Sequence, residues 1–187
     1  MSTEMPTLPA PAGRLVETIA FKQVRIAVMT ISDTRDEESD TSGKILTDRI
    51  AAAGHAAVSK AVVKDDVGQI RAQMQDWIDS GKIDAIITTG GTGLTGRDVT
   101  PEAVKPLFDK EIEGFNVVWH MVRYQSVGLS TLQSRACAGV AKGVFIFCLP
   151  GSNGACKDGW DKIIRWQLDS RHMPCNMVEL MPRLLEK

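Results

Sequence analysis

The chain has 187 residues, with 22 basic and 23 acidic side chains and a formal net charge of −1. This length predicts one domain, and a hydrophobic share of 43% with a charged share of 24% is typical of a soluble globular protein. The near-neutral balance argues against a dedicated nucleic-acid binder, because such proteins need a basic excess to neutralise phosphates.

The N-terminus is predicted to be a disordered, proline-containing tail. Its prolines block both helix formation and sheet hydrogen bonding, and we place the tail at residues 1–20 and a single domain at 21–187. The tail lacks the basic and apolar regions of a signal peptide. The longest strongly apolar stretch, 143–150, is too short to span a bilayer. We therefore expect a cytoplasmic protein with no membrane partner.

Beyond the tail, β-rich runs alternate with stretches of helical periodicity. The pattern predicts strands at 24–31, 56–63, 85–89 and 144–149. Between the first three strands it predicts a helix from Thr41 to Gly54 and a helix that is capped by Asp66 and ended by Gly81. After the third strand it predicts a helix that begins at Thr100 and is shortened by Pro106, a helical face from Phe115 to Val122 and a short helix at 132–138, and a last helix follows Ser152. The strands are apolar on both faces and are separated by helices. They predict an α/β fold in three layers, α/β/α, with a mostly parallel central sheet.

Polar loops follow three of the predicted strands. They are Ser32-Asp33, Gly90 to Asp98, and Pro150-Gly151-Ser152. In open α/β sheets, ligands bind outside the carboxyl ends of the strands. We therefore expect these loops to meet at one ligand site.

The glycine-rich loop imitates the dinucleotide-binding fingerprint. Residues 91–96 (GTGLTG) satisfy GxGxxG, which requires the glycines to open a helix directly. Here residues 97–99 intervene before the helix at Pro101, and the acids at about the expected distance, Glu111 and Glu113, are expected to lie in or beside a helix. An NAD-dependent oxidoreductase is therefore disfavoured.

The same loop nearly fits a phosphate-binding P-loop. That motif needs Lys and then Ser or Thr, but Arg97 and Asp98 stand at those positions. What remains is a loop whose glycines let several backbone N–H groups converge on an anion. The hydroxyls of Thr92 and Thr95 would be additional donors.

Two acids lie at the same predicted edge. Asp98 follows the phosphate-type loop and Asp65 ends the second predicted strand. Two carboxylates near bound phosphates are a common way to hold Mg²⁺, although either one alone is equally typical of a cap or a solvated acid. Ser152 can cap the helix that follows it and leave N–H groups free for a second phosphate or a nucleotide, but an ordinary strand-to-helix connection has the same pattern.

The remaining candidate ligands for a metal show no motif spacing. The cysteines include no CxxC pair, so we interpret them as buried, reduced side chains. The histidines lie in unrelated segments and are interpreted as core or surface residues. These residues are Cys137, Cys148, Cys156, Cys175, His55, His120 and His172.

Several motifs together point to a family. They are ISD (31–33), DTSG (40–43), TTGGTG (88–93), RDVTPEA (97–103), EGF (113–115), SR (134–135) and LPGS (149–152). With these motifs the chain resembles the MoaB/MogA family of molybdenum-cofactor biosynthesis, which has the molybdopterin adenylyltransferase fold. The resemblance runs from about Val24 to Leu180, and segments 130–136 and 171–176 are similar to the MoaB branch in particular.

The resemblance implies an enzyme, a Mg²⁺-dependent nucleotidyltransferase. Members transfer AMP from ATP, the co-substrate, to the terminal phosphate of molybdopterin and release pyrophosphate. The alternative that the resemblance leaves open is a non-catalytic, oligomeric molybdopterin-binding protein of the same pathway, with adenylylation done by a paralogue. The resemblance also implies that the chain forms a homo-oligomer, either a trimer or a hexamer. It further implies the molybdate-insertion enzyme as a partner.

The resemblance also implies roles for individual residues. Asp65 and Asp98 match the functional acids of the family and are assigned to catalysis and to Mg²⁺. Molybdopterin binding is assigned to Ser32, Asp33, Thr89, Gly90, Gly91, Thr92 and Gly93. Nucleotide binding is assigned to Pro150, Gly151 and Ser152.

Overall fold

A six-stranded sheet forms the centre of the computed structural model, which describes residues 13–186. The strands are β1 (Arg14–Leu15), β2 (Arg25–Ile31), β3 (Ala56–Val63), β4 (Ala85–Thr89), β5 (Lys110–Glu111), β6 (Cys137–Ala141), β7 (Val144–Leu149) and β8 (His172–Met173). The α-helices are α1 (Thr41–Ala52), α2 (Val67–Asp79), α3 (Thr100–Val104), α4 (Glu113–Val127), α5 (Asn153–Gly159) and α6 (Arg165–Gln167). Turns of 3₁₀-helix lie at Lys105–Leu107, Gly128–Gln133 and Met181–Arg183, and a π-helical turn at Trp160–Ile164 joins α5 to α6. Within the described range, no helix is both long enough and apolar enough to cross a membrane.

The predicted, mostly parallel sheet is confirmed. Its strand order is β3-β2-β4-β7-β6-β5, and the first four of these strands run parallel. The last two, β6 and β5, form an antiparallel edge. Strands β1 and β8 pair in a separate two-stranded sheet.

The three-layer arrangement follows from strands that are apolar on both faces. In β2, Ile26 and Val28 point into a core shared with α1, α4 and α5, whereas Ala27 and Met29 point into a second core shared with α2 and α3. All four side chains are fully buried. The sheet is therefore covered by helices on both faces, as its hydrophobic pattern requires.

The connections of β2 determine where a ligand can bind. From β2 the chain passes through α1 to β3 on one side, and then through α2 to β4 on the other side of β2. Connections that leave in opposite directions open a crevice at the carboxyl ends of the strands between them. The crevice here lies beyond the ends of β2 and β4.

Most of the predicted elements are found within a few residues of their expected bounds. The predicted strand at 56–63 matches β3, and the predicted strand at 85–89 matches β4. Asp66 caps α2 by accepting a hydrogen bond from the N–H of Gln69 at 2.8 Å. Helix α3 ends at Val104, and a 3₁₀ turn that contains Pro106 follows it.

The predicted helix at 132–138 is wrong. A 3₁₀ turn ends at Gln133, and Cys137–Ala141 is the buried strand β6. A short run of small apolar residues has no period that separates a strand from a buried helix. The strand also needs its small residues, because a Cβ on Gly139 would lie 2.4 Å from the ring of Phe108.

The predicted N-terminal tail extends too far along the chain. Arg14 and Leu15 pair with Met173 and His172, and the N–H of Val16 donates to the carbonyl of Arg171 at 2.9 Å. Strand β8 thus supplies backbone partners that the sequence pattern did not indicate. Residues 1–12 of the predicted tail lie outside the described residues.

The cysteines differ in their burial. Cys137, Cys148 and Cys156 are buried, as predicted, and Cys175 is exposed, contrary to the prediction. Cys175 lies in the irregular segment after β8, outside both cores. All four are free thiols.

A buried carboxylate, Asp40, joins the first helix to the sheet. It accepts hydrogen bonds from the N–H of Gly43 at 2.8 Å and from Thr30 Oγ1 at 2.9 Å. Its Oδ2 also lies 2.9 Å from Lys60 Nζ on β3. The side chain of Asp40 is completely buried, so these three partners replace its water.

We expect Asp40→Ala to lower the free energy of unfolding by about 3 kcal/mol, because it removes a helix cap and charged hydrogen bonds in a buried place. Urea denaturation measures the loss. The matched control is Asp48→Ala, which removes an exposed acid paired with Lys44 and should cost about 0.5 kcal/mol or less. Equal losses for the two variants would contradict the role assigned to Asp40.

Candidate active site

A cleft of about 580 Å³ opens beyond the ends of β2, β4 and β7. All three predicted loops contribute to it. The predicted site residues that line it are Ser32, Asp65, Thr89, Gly90, Gly91, Thr92, Gly93, Asp98, Pro150, Gly151 and Ser152. Asp33 is the one predicted residue outside this lining. The structure therefore brings nearly all of the predicted residues to one place.

The floor of the cleft depends on glycines that pass close to neighbouring strands. Gly90 has φ of 113° and Gly91 has φ of 65°, which are unfavourable for residues with a side chain. A Cβ on Gly90 would lie 2.0 Å from the carbonyl oxygen of Ile31, and a Cβ on Gly151 would lie 3.1 Å from the Cα of Gly90. Glycine at position 90 is thus required by both φ and space.

Thr100 orients the backbone of the glycine loop. Its hydroxyl donates to the carbonyl of Gly90 and its N–H donates to the carbonyl of Gly91, both at 2.9 Å. The C=O of a trans peptide and the N–H that follows it point in opposite directions, so the N–H groups of Gly91 and Thr92 point away from Thr100. Neither N–H has an acceptor within residues 13–186. They are available to an anion.

Arg135 fixes the next part of the loop. Its N–H donates to the carbonyl of Thr92 at 2.8 Å, and its guanidinium donates to the carbonyls of Gly93 and Asp98, each at 2.7 Å. The remaining guanidinium nitrogen is paired with Glu102. Arg135 therefore holds three loop carbonyls although it lies on no strand-end loop. Its only signal in the sequence is the Ser134-Arg135 motif.

The carboxylate of Asp98 is used within the loop. It accepts hydrogen bonds from Thr95 N–H at 2.9 Å and from Thr95 Oγ1 at 2.6 Å. Burial by itself would raise the pKa of Asp98, but these bonds, a further one from the Gly93 N–H and the charge of Arg135 hold that pKa below its ordinary value. Asp98 is thus ionised and organises the loop.

Asp65 is in a different electrostatic position. Partial burial raises the pKa of Asp65, and the nearby charges of Asp33 and Asp98 raise it further, against a smaller opposing effect of Arg97. A Cβ on Gly91 would lie 2.9 Å from Asp65 Oδ1, so the carboxylate sits against the glycine loop. The N–H of Asp33 also acts on the Asp65 carboxylate and lowers its pKa, but this effect is smaller than those of burial and of the neighbouring negative charges.

Asp33 and Arg97 form a bridge at the rim of the cleft. Arg97 donates to Asp33 Oδ2 through Nε at 2.9 Å and through Nη2 at 2.6 Å. Lys64 Nζ donates to the carbonyl of Asp33 at 2.7 Å. Asp33 thus joins the loop after β2 to the glycine loop, rather than lining the cleft.

The hydroxyls of two other predicted residues are engaged in structural contacts. Thr89 Oγ1 donates to the carbonyl of Pro150 at 3.1 Å, and Ser152 Oγ caps α5 by accepting from the N–H of Ala155 at 3.1 Å. The functional contacts that these residues could offer are therefore mainly those of their backbone.

Sequence reasoning missed the wall that α4 and the 3₁₀ turn after it form. This wall is not a strand-end loop, so the rule that located the other residues does not reach it. Sequence reasoning also missed Arg35, which follows β2 and lines the cleft. Its guanidinium donates to Ser42 Oγ at 2.7 Å. The missed wall residues that line the cleft are Trp119, Arg123, Val127, Ser130, Thr131, Gln133 and Ser134.

Asp65 and Asp98 are the carboxylates that line the cleft. The described residues contain no group of three or more His, Cys, Asp or Glu side chains placed to hold a metal. Two carboxylates that face bound phosphates are nevertheless the pattern of a Mg²⁺ site in which the phosphates and water supply the other ligands.

Comparisons with known proteins agree on one family. A family model described as a probable molybdopterin binding domain matches residues 27–170. Molybdenum cofactor biosynthesis protein B of Escherichia coli K12 is 51% identical over 156 residues, which cover 83% of this chain and 92% of that protein. A crystal structure of a molybdenum cofactor biosynthesis protein B has a TM-score of 0.78 and 42% identity, covering 80% of this chain and 94% of that one. The tungsten cofactor synthesizing protein MoaB of Pyrococcus furiosus has a TM-score of 0.68 and 37% identity, covering 76% and 91%.

The raised pKa of Asp65 predicts a pH-dependent cost in stability. Above both the folded and the unfolded pKa, the carboxylate is ionised in both states and the folded state is penalised. Below the unfolded pKa, Asp65 is protonated in both states and the penalty is absent. We therefore expect Asp65→Asn to raise the free energy of unfolding at about pH 7, and the gain to disappear at about pH 3.5.

Urea denaturation at the two pH values measures this effect. Asp66→Asn is the matched control, because it changes the neighbouring exposed acid and keeps a side chain that can cap α2. A gain for Asp65→Asn that is the same at both pH values would exclude the electrostatic explanation.

Proposed function

This chain belongs to the family of molybdopterin-binding domains of molybdenum-cofactor biosynthesis, and we propose that it transfers AMP from ATP to molybdopterin. In this reaction an oxygen of the terminal phosphate of molybdopterin forms a bond to the α-phosphorus of ATP. The bond between that phosphorus and the bridging oxygen to the β-phosphate breaks, and pyrophosphate leaves. The attacking group belongs to the substrate, so no protein nucleophile is needed.

The observation that supports this proposal is the meeting of two kinds of group in one cleft. The free N–H groups of Gly91 and Thr92 suit a phosphate, and the carboxylates of Asp65 and Asp98 lie against the same loop. Carboxylates would repel a phosphate unless a cation stood between them. A site built from both is therefore suited to a metal–phosphate complex rather than to a bare anion.

The residues present fit Mg²⁺. Partial burial raises the pKa of Asp65 and the charges of Asp33 and Asp98 raise it further, a repulsion that a cation would relieve. We assign Asp65 and Asp98 as the protein ligands. When bound with ATP, Mg²⁺ supplies charge neutralisation at the phosphates and orients them.

The other residues of the cleft would bind and orient the two substrates. The N–H groups of the glycine loop hold the terminal phosphate of molybdopterin, with Thr100 and Arg135 keeping them in place. Ser32, and Asp33 at the rim, lie next to this position. The backbone of Pro150, Gly151 and Ser152 borders the part of the cleft that we assign to the nucleotide. The adenylylated product would then pass to the molybdate-insertion enzyme.

The second candidate is a protein that binds molybdopterin without turnover. The hydrogen bonds of Asp98 favour this alternative. Thr95 donates twice to Oδ2 of Asp98, so that oxygen is already occupied and is less available to a cation. Such a protein would keep the phosphate-binding loop, and a paralogue would carry out the adenylylation.

We also propose that the chain forms a homo-oligomer, trimer or hexamer, through the outer face of α4. Val117, Met121 and Tyr124 follow one another at helical spacing and are 59%, 50% and 45% exposed. Leu129 and Leu132, each about 70% exposed, extend this apolar face onto the 3₁₀ turn that borders the cleft. A continuous apolar face of this kind is typical of a contact between subunits.

The activity test is pyrophosphate release from molybdopterin, ATP and Mg²⁺. We expect Asp65→Asn to reduce kcat at least about 100-fold, because it removes a charge that positions the metal. Asp66→Asn serves again as the matched control and should retain wild-type turnover. Asp65→Asn is a cleaner test than Asp98→Asn, which would also disturb the hydrogen bonds of the loop. If the Asp65→Asn variant turned over as fast as the wild type, the catalytic role of Asp65 would be excluded. If the wild-type protein bound molybdopterin without releasing pyrophosphate, it would be a binding protein.

Sedimentation velocity tests the oligomer. We expect the wild type to sediment as a trimer or a hexamer, and Met121→Lys to shift it to the monomer, because a lysine in the apolar face would lose its hydration. Val58→Lys on β3 changes an equally exposed apolar residue away from this face and should leave the oligomer intact. A monomeric wild type would contradict the proposal.

A further inference from the structure

Two cysteines stand directly opposite each other in the main sheet. Strands β6 and β7 are antiparallel, and in their register Cys137 is the partner of Cys148. Both side chains are buried, at 2% and 0% exposure, and both belong to the core that α2 and α3 cover. Neither thiol has a part in the proposed reaction, so the ligand cleft does not account for their juxtaposition.

The turn between the two strands determines the distance between the cysteines. Lys142 and Gly143 form a two-residue hairpin turn, and both have positive φ, at 46° and 83°. Hydrogen-bonded and non-hydrogen-bonded pairs alternate from this turn, which makes Cys137 and Cys148 a hydrogen-bonded pair. The Cα atoms of such a pair are about 5.5 Å apart, inside the range of about 4.4–6.8 Å that a disulfide requires.

The two thiols differ in their tendency to ionise. A hydrogen bond with the thiol of Cys148 lowers the pKa of Cys137 against the effect of burial, and the charge of Lys105 lowers it further. The same hydrogen bond, burial and the charge of Cys137 raise the pKa of Cys148 well above its ordinary value. Because the thiolate is the reactive form of cysteine, Cys137 is the nucleophile of the pair, and Cys148 stays protonated beside it.

A cavity of about 660 Å³ lies beside Cys137. Ala136, the residue before Cys137, lines this cavity together with Lys105 and Glu111, whose charges act on the Cys137 thiol. Lys105 and Glu111 are exposed, so the cavity is open to solvent. A small solute can therefore come close to Cys137, whereas Cys148 is completely enclosed.

We propose that Cys137 and Cys148 are a modification site for hydrogen peroxide, at which the two cysteines close reversibly to a disulfide. The thiolate of Cys137 attacks one peroxide oxygen, the O–O bond breaks, and the other oxygen leaves as hydroxide, which takes up the proton that Cys137 released. The sulfur of Cys148 then attacks the sulfenic acid on Cys137. The S–O bond breaks, and that oxygen leaves as water with the proton of Cys148. Two thiols and one peroxide thus give one disulfide and two waters.

The geometry of the strand pair predicts that this disulfide is easily reduced. Opposite Cβ atoms of an antiparallel pair lie about 4.5–5.5 Å apart, whereas a disulfide holds them about 3.8 Å apart. Closing the bond therefore draws β6 and β7 together at this point, and a disulfide under strain is readily reduced by a dithiol. The pair is suited to a reversible modification rather than to a permanent cross-link.

Both cysteines are close in the chain to residues of the ligand cleft. Arg135, two residues before Cys137, holds three carbonyls of the glycine loop. Pro150, two residues after Cys148, lines the cleft. A movement of the strands at the disulfide therefore reaches the glycine loop, and we expect it to weaken phosphate binding there. This consequence rests on the proposed function, whereas the disulfide itself does not.

The test starts from a Cys175→Ser protein, which lacks the exposed thiol and retains Cys137, Cys148 and Cys156. The protein is treated with hydrogen peroxide, denatured and titrated for thiols. We expect the thiol count to fall from three to one, the mass to fall by two hydrogens, and peptide mapping to join Cys137 to Cys148. Dithiothreitol should restore all three thiols.

Single variants in the same background separate the roles of the two cysteines. In Cys148→Ala, Cys137 should still react, more slowly without the hydrogen bond, and its sulfenic acid should be trapped by dimedone. In Cys137→Ala, neither a disulfide nor a dimedone adduct should form, because Cys148 stays protonated and enclosed. Cys156→Ala is the matched control, since it removes a buried thiol from the other core and should leave the disulfide unchanged.

Titration with Mg²⁺-tripolyphosphate measures the consequence for the cleft. We expect the oxidised Cys175→Ser protein to bind this probe about tenfold more weakly than the reduced protein, and dithiothreitol to restore the affinity. Peroxide treatment of the Cys137→Ala variant should leave the affinity unchanged.

The inference is overturned if peroxide leaves all three thiols intact, if the disulfide contains Cys156, or if Cys137 is oxidised to a sulfinic acid without a disulfide. A disulfide that leaves tripolyphosphate binding unchanged would refute the link to the cleft alone. A reduced protein that does not bind tripolyphosphate would refute the proposed phosphate site alone, because the thiol count does not depend on that site.

Discussion

The close approach of three chain segments at Gly90 determines the geometry of the cleft. The carbonyl of Ile31 occupies the place where a Cβ on Gly90 would stand, and Gly151 packs on the other side. Because the backbone turns there with positive φ, the loop leaves the sheet in a direction in which the hydroxyl and the N–H of Thr100 can donate to two of its carbonyls. The direction of the free N–H groups follows from that turn, so it is determined by the packing of the backbone together with the hydroxyl of Thr100.

The cleft contains a carboxylate, Asp65, whose ionised form is disfavoured by its surroundings in the folded protein. Asp65 is partly buried beside two other carboxylates, and burial together with their charges raises its pKa. Asp98 differs because donors within the loop compensate its charge. Asp98 therefore maintains the loop, while the charge of Asp65 is compensated only in part, by Arg97 and by the N–H of Asp33. This division of roles between two similar residues arises from their surroundings.

Sequence reasoning recovered the parts of the molecule that local patterns encode. The strands of the parallel sheet, the caps at Asp66 and Ser152 and the loops at the strand ends follow from periodicity, capping chemistry and the rule for open sheets. Contacts between segments distant in the chain were not accessible in this way. Arg135 reaches the glycine loop from 37 to 42 residues away, and no local pattern records that contact. The helix predicted at 132–138 is wrong because the first residues of β6, Cys137 and Ala138, are small and buried, and such a run has no period that separates a strand from a helix.

The position of β7 has a consequence for the order in which the molecule can be assembled during translation. This strand is the last of the main sheet to be synthesised, yet it lies in the middle, between β4 and β6. A nascent chain that ends before residue 144 therefore contains both acids and the whole glycine loop, but its sheet is split into two unjoined parts. Until β7 leaves the ribosome, the edge of β4 stays open to pairing with other chains. The cleft is thus completed only after β7 has been synthesised.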